Sequence, residues 1–483
     1  MSLHKSTQFL SEIAMFFKNN DATRAFSALV QILSTLKMSD QSLFGRVTKP
    51  NAKHSLTEIF QTLLLFPCCS IRNPYHYDRS SLFTKVSYHK DAFYRFMEDA
   101  QINWRKIIYN LTLQLWRKVQ IRSDHRKSGQ ECLIIDDTDQ PKSGFCMENI
   151  GRIHSHLEHK SILGFKALVL AITDGASHML LDFALVGEKG KKGDYGLSAK
   201  KRDARFTKER DSKCALAERV EEYSKSKIEL MKSMISRAIK RGVRFRYVLA
   251  DSWFACADII KFIKRRHINC DYLGMIKVGE NGRTKYKIGG VEMTAPAIIK
   301  HLTELGKKKY SRRLRCHYIT VEVEFAGHRI NLFFVRRSKR GKWSGLITTD
   351  LKLSFFDAYK IYSQRWGIEV IFKEMKGLLG LGKCQARNFA SQIAHTSIVM
   401  LQYNVLSLVK RFEAYETWGK LFESVMEQSV ELTISERIWG MLQNIIATIA
   451  EVFGLSDEDV FQGLASLKAK ELNSWLSYKL KIA

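Results

Sequence analysis

Cys132-Leu-Ile-Ile135-Asp136-Asp137-Thr138-Asp139 is the stretch on which the fold turns. Four apolar residues in a row form a short buried strand, and the strand runs into acid. Before it, about 125 residues read as helical, with apolar residues at helical spacing over Thr23–Met38 and Ser55–Phe66. After it the pattern turns to strands. Gly164–Thr173 and His178–Val186 are joined by Thr173-Asp174-Gly175-Ala176, a hairpin signal. Cys214–Arg241 reads as one long amphipathic helix, Arg246–Ala250 as a strand meeting Asp251, Ala255–Arg266 as a helix and Asp271–Val278 as a strand. Helices alternate with strands, which predicts an α/β core.

Residues 275–345 break the alternation. Tyr318–Phe325 alternates, turns at Ala326-Gly-His, and returns as Arg329–Val335. This block holds 17 Lys/Arg and 5 Asp/Glu, a net of +12, so it reads as a β-rich insertion with a basic surface. Gly345–Asp350 rejoins the main sheet, Phe355–Leu379 is a helix, and the tail from Ser391 is helical throughout.

The chain of 483 residues has a formal net charge of +29, so polyanions are its natural partners, nucleic acid first. Its hydrophobic fraction of 45% excludes a disordered basic tail. No apolar run approaches the ~20 residues a bilayer requires, and the N-terminus lacks the pattern of a secretory signal. Nine scattered cysteines without a CxxC pair argue against structural zinc and for a reducing cytoplasm. His154, His156 and His159 lack matching ligand spacing, and GxxxxGK[ST] is absent.

The chemistry gathers in Tyr362-Ser-Gln-Arg365-Trp-Gly-Ile-Glu369-Val-Ile-Phe-Lys373-Glu-Met-Lys376. On one helix, positions 362, 365, 369, 373 and 376 fall within a stripe of about 80°. The remainder of that helix is largely apolar, so it reads as buried on most sides. Charges on a buried helix demand partners, a metal or phosphate. Glu369 is a hard oxygen donor for magnesium, and Arg365, Lys373 and Lys376 suit phosphates. Asp136 and Asp251, each where an apolar strand meets an acid, supply the other carboxylates of a two-metal phosphoryl-transfer site.

Tyr-x2-Arg-x3-Glu-x6-Lys, present as Tyr362, Arg365, Glu369 and Lys376, resembles the signature of the DDE transposases of bacterial insertion-sequence family four. Asp136-Asp-Thr138 and Ala250-Asp251-Ser-Trp-Phe resemble the family's first and second catalytic acids. The resemblance covers residues 130 to 390. It implies an RNase H-like core over 129–274 and 346–390, with a β-strand insertion over 275–345. Residues 1–128 would then be a helical DNA-binding region and 391–483 a helical C-terminal region suited to dimerisation.

By the same resemblance Asp136, Asp251 and Glu369 hold two Mg²⁺, with Mn²⁺ able to substitute. Asp137 is the alternative first acid, and the Asp-x-Thr spacing favours Asp136. Tyr362, Arg365 and Lys376 would grip transposon-end phosphates. Trp343, among Arg336, Arg337, Lys339, Arg340 and Lys342, is a candidate to stack on a base, set against an ordinary packed Trp. Trp253 and Trp366 are expected in the core. Lys142, Lys160 and the basic residues of Trp104–Arg126 are expected to be solvated or to face DNA.

The implied activity is cut-and-paste transposition: metal-dependent cleavage at transposon ends, then strand transfer into target DNA. Partners would be double-stranded DNA (terminal inverted repeats and target) and a second protomer, with no membrane, in a bacterial cytoplasm. An RNase H-like structure-selective nuclease and a non-catalytic DNA-binding protein are the alternatives.

Overall fold

The computed structural model describes residues 31–48, 52, 54–69, 71, 73–79, 88–122, 131–265, 268–279, 282–338 and 340–412. The predicted dimerisation segment beyond residue 412, the start of the first predicted helix and Lys339 lie outside them. The fold is mixed α/β.

Twelve strands form one sheet: β1 (Cys132–Pro141), β2 (Gly151–Ser155), β3 (Lys160–Thr173), β4 (His178–Val186), β5 (Tyr247–Ala250), β6 (Asp271–Ile276), β7 (Lys285–Ile288), β8 (Val291–Thr294), β9 (Lys309–Ser311), β10 (Cys316–Phe325), β11 (His328–Arg336) and β12 (Ser344–Thr348). The order is β2-β3-β1-β5-β6-β12-β11-β10-β7-β8, with β4 also on β3 and β9 also on β10. β1 runs antiparallel to β3 and parallel to β5. Cys132–Ile135 is completely buried, as a strand covered on both faces requires.

β1 does not stop at Ile135. It continues through the acids to Pro141, because β3 pairs with it along that whole length. The acids therefore lie within a strand and not in a turn after it.

The insertion extends this same sheet. β12 lies between β6 and β11, antiparallel to both, so the basic block is hydrogen-bonded into the core. Its hairpin β10–β11 turns at Ala326 and Gly327, both at positive φ (55° and 80°), the backbone twist that a two-residue hairpin favours.

Two predicted helices are each divided. Cys214–Arg241 becomes Ala217–Glu222 and Lys227–Lys240, because Ser226 and Glu229 form a capping box that starts a new helix. Phe355–Leu379 becomes Phe355–Ser363 and Trp366–Gly377. The tail begins as the helix Phe389–Phe412, packed on the helix Trp104–Arg122 and on β4. Asn404 ties the three together: its amide donates to Thr112 Oγ1 at 2.9 Å and its carbonyl accepts from Leu180 N at 2.8 Å.

The basic helix Trp104–Arg122 is partly a core element. Arg105 is not solvated. It is buried with Asp182, Arg219, Arg237 and Glu222 under β4. Asp182 accepts from Arg105 Nε at 2.9 Å and from Arg237 Nε at 2.8 Å. Burial opposes its ionisation, yet Arg105, Arg237 and Arg219 hold its carboxyl below the ordinary range.

Removing one member of a buried charged set leaves the others unpaired. Asp182→Ala is therefore expected to destabilise the fold by about 3–5 kcal/mol, read as a lowered denaturant midpoint with an unchanged slope.

Candidate active site

β1 and β5 bring the first two acids side by side. Their last paired residues are Ile134 and Leu249, and Asp136 and Asp251 each lie two positions further on. Continuing that parallel register sets the two acids at equivalent positions on neighbouring strands. Asp251 then leaves the sheet in a tight turn, its Oδ1 accepting from Trp253 N at 2.9 Å.

The third acid comes from the helix Trp366–Gly377, which lies on β1. Its buried face is Ile368, Ile371, Phe372 and Met375, at helical spacing. Glu369 falls in its first turn, where the helix dipole favours a carboxylate. The helix is not buried all round: Trp366 is 64% exposed, Val370 40%, and Lys373 faces solvent. Tyr362 lies on the preceding helix, so the predicted stripe spans two elements.

Arg365, at the junction, joins the acids. Its Nη1 donates to Asp136 Oδ2 at 2.8 Å, and its Nη2 donates to Glu369. In this structure its fork is therefore taken by acids, where a phosphate was expected. Burial raises the Asp136 carboxyl to about 7. Arg365 and the Asp137 N–H oppose the shift, and the charges of Asp137 and Asp251 add to it. Burial also pushes the Tyr362 phenol well up, with Asp251 and Asp136 adding to that effect, so it stays a neutral donor.

Asp137 lies on the opposite face of the strand from its neighbour. It meets Lys227 Nζ at 3.1 Å and Lys166 Nζ at 3.6 Å, and Lys166 also meets Asp139 at 2.9 Å. Lys376 is half-buried near Asp139 and Lys166, and burial lowers its ammonium. Lys227 Nζ also sits 4.3 Å over the ring of Trp253, which is 44% exposed. Trp253 and Trp366 are thus exposed and do not fill the core. Trp343 is half-exposed, with the Arg336 guanidinium 4.8 Å from its ring.

Sequence reasoning passed over Lys166 and Lys227. Lys166 had a signal, as the sole charge within the apolar run of β3. Lys227 had none, since the first turn of an amphipathic helix is an ordinary place for a solvated lysine. Lys142 is likewise buried and not solvated, donating to the carbonyls of Gly382 (2.8 Å) and Cys384 (2.7 Å). Lys160 is exposed and paired with Glu158.

Among the described residues, no three His, Cys, Asp or Glu side chains already converge to hold a metal ion. The donor set suits a hard divalent cation nonetheless. Asp136 and Glu369 close on a single positive charge, the guanidinium, which stands in for one. Among the described residues, no helix is long and apolar enough to cross a membrane.

Two family models match the chain. The DDE superfamily endonuclease model covers residues 80–274, and the transposase DDE domain model covers 210–405. The chain thus carries a DDE transposase domain, and its function is that of a DDE transposase, an enzyme of DNA transposition. Such domains imply dependence on a divalent metal. No curated protein matches. Among solved structures the chain is similar to a piggyBac transposase in a synaptic complex with hairpin DNA, at 13% identity and a TM-score of 0.40, over 87% of this chain and 82% of that one. It is also similar to the NurA nuclease from Sulfolobus solfataricus, at 13% identity and a TM-score of 0.22, over 64% of this chain and 95% of that one. Both scores are too low to carry a fold assignment.

The two faces of β1 make the acid doublet testable. Asp136→Asn is expected to abolish DNA nicking and Asp137→Asn to reduce it more mildly, as read in a gel assay. The reverse order would move the site to the other face.

Lys142 gives a pH test. Burial pulls its ammonium down to about 8, whereas an unfolded lysine titrates near ~10.4. The folded state therefore binds this proton less tightly, and its stability rises as pH climbs between those two values. Lys142→Met should flatten that rise in denaturant midpoints measured across pH 7.5–10.5 (the range about those two values). It should also cost about 1–3 kcal/mol at neutral pH, from the two carbonyls left without a donor.

Proposed function

We propose that the chain cleaves DNA at transposon ends and transfers the freed strand into target DNA, with Asp136, Asp251 and Glu369 as the catalytic acids. The supporting observation is geometric: Asp136 and Asp251 each lie two positions beyond the last residues paired between β1 and β5, and Arg365 bonds both Asp136 and Glu369. The order β4-β3-β1-β5-β6, with β1 antiparallel to β3 and parallel to β5, supports an RNase H-like core. The spacing of Tyr362, Arg365, Glu369 and Lys376 supports placement among transposases of insertion-sequence family four.

The three acids would hold two Mg²⁺, with Mn²⁺ able to substitute. When bound, the ions supply activation of a water or a 3′-OH and charge stabilisation at the leaving oxygen. The protein's own groups do the rest. Tyr362 offers a neutral O–H to a phosphate oxygen, and Lys373 and Lys376 lie further along the adjoining helix for flanking phosphates. Trp343 and the basic insertion would contact end DNA. In hydrolysis the water oxygen bonds to phosphorus, and the 3′ oxygen leaves with a proton. In strand transfer that freed 3′-OH is the nucleophile.

Double-stranded DNA is the partner, and the excess positive charge gives it a salt-dependent, sequence-independent affinity. Two ends must be held together, so at least two protomers would act in one complex. Cleavage takes place on the DNA, in the bacterial cytoplasm.

Glu369→Gln tests this reading. It should leave binding of duplex DNA from the flanks of the gene within about threefold, and lower Mg²⁺-dependent cleavage by at least about a thousandfold, which corresponds to several kcal/mol of lost stabilisation. Full cleavage by the variant refutes the assignment.

A further inference from the structure

Arg365 meets the acids through both Nη atoms of its fork, the edge that a bidentate grip on a phosphate would use. Nη1 is on Asp136 and Nη2 on Glu369, so both ends of its fork are occupied, by acids from two different elements. A guanidinium grips phosphate with the same paired N–H groups. Asp136 has both oxygens engaged: Oδ2 takes Arg365, and Oδ1 takes the Asp137 N–H at 2.8 Å. A divalent ion reaching Asp136 and Glu369 meets a cation already in place.

We propose that Arg365 is the internal counter-cation of Asp136 and Glu369 in the free protein, and that a divalent ion and a DNA phosphate together displace it from the acids. This rests on the site reading above. The Arg365 and Asp136 side chains are only 14% and 15% exposed, and Glu369 is 37% exposed. Two nearby carboxylates in such surroundings repel one another unless a cation lies between them. The guanidinium supplies that cation before metal arrives. An ion with twice its charge then competes for the same oxygens and repels it. A released guanidinium needs an anion, and a phosphate at the site is the anion available.

The backbone permits the exchange. Arg365 sits in the break between the helices Phe355–Ser363 and Trp366–Gly377, so its side chain can turn without unwinding either. The Tyr362 ring lies 5.9 Å from the guanidinium. The consequence is linkage. DNA raises the affinity for metal, and metal raises the affinity for DNA by the same factor.

The test is calorimetric titration of Mn²⁺ into the full-length protein, with and without duplex DNA from the flanks of its gene, together with DNA binding in Ca²⁺. In the wild type, DNA should tighten Mn²⁺ binding about 5- to 150-fold, the usual range of such coupling. Arg365→Gln keeps much of the length and removes the charge. It should bind Mn²⁺ about tenfold more tightly without DNA and lose most of the coupling. Arg365→Lys keeps a charge and loses the fork, so it should fall between the two and covers the case in which the glutamine variant fails to fold. Glu369→Gln should weaken Mn²⁺ binding in every background. If Glu369→Gln weakens it while neither Arg365 variant tightens it, the counter-cation role is refuted and the site reading stands. If Glu369→Gln leaves Mn²⁺ binding unchanged, the site reading itself is refuted.

Discussion

Strand β1 is hydrogen-bonded to β3 along its whole length, and that constraint sets the direction of every acid it carries. Pairing with β3 continues past Asp136 and Asp137 to Pro141, so neither residue can rotate its backbone to present a different side chain. Alternation then sends Asp136 towards Arg365 and Asp137 towards Lys166 and Lys227. Pairing with β5 stops earlier, at Ile134, which opens the sheet beside the acids. Buried pairing on one edge and an opening on the other give the acids both rigidity and access.

Much of this was legible in the sequence. The apolar run into Asp136 and the short strand before Asp251 are present, whereas the stripe from Tyr362 to Lys376 is divided between two helices. The α/β alternation, the β-rich block and the Ala326-Gly327 turn are all present. The errors share a physical cause. Periodicity reports which residues are apolar, but not what covers them. Trp253 and Trp366 read as core, yet both are exposed to solvent. Charge reads as solvated, yet Arg105 and Lys142 are buried, because their partners lie far away in sequence: Asp182 for one, the carbonyls of Gly382 and Cys384 for the other. The helix breaks were missed for a related reason. The capping box at Ser226 is a local signal overridden in the reading by a continuous amphipathic pattern.

The acids sit in a chain whose overall charge is strongly positive, and the local arrangement reconciles the two. Arg365, Lys166, Lys227 and Lys376 surround Asp136, Asp137 and Asp139 within β1's immediate neighbourhood. These contacts divide the labour between two groups. Asp137 and Asp139 are paired with lysines, and Asp136 and Glu369 are held by a single guanidinium.

The basic block is not a separate lobe on a tether. β12 joins β6 to β11 by continuous backbone pairing, so a load applied at the far hairpin passes through hydrogen bonds into the strands beside Asp251. Such a connection transmits twist and tension well and absorbs little of either. The reach from the outermost strand to the acids is therefore fixed by the strands between them, and a one-residue deletion within β11 or β12 would shift register and turn side chains to the other face, whereas the same deletion at the Ala326-Gly327 tip would spare the pairing.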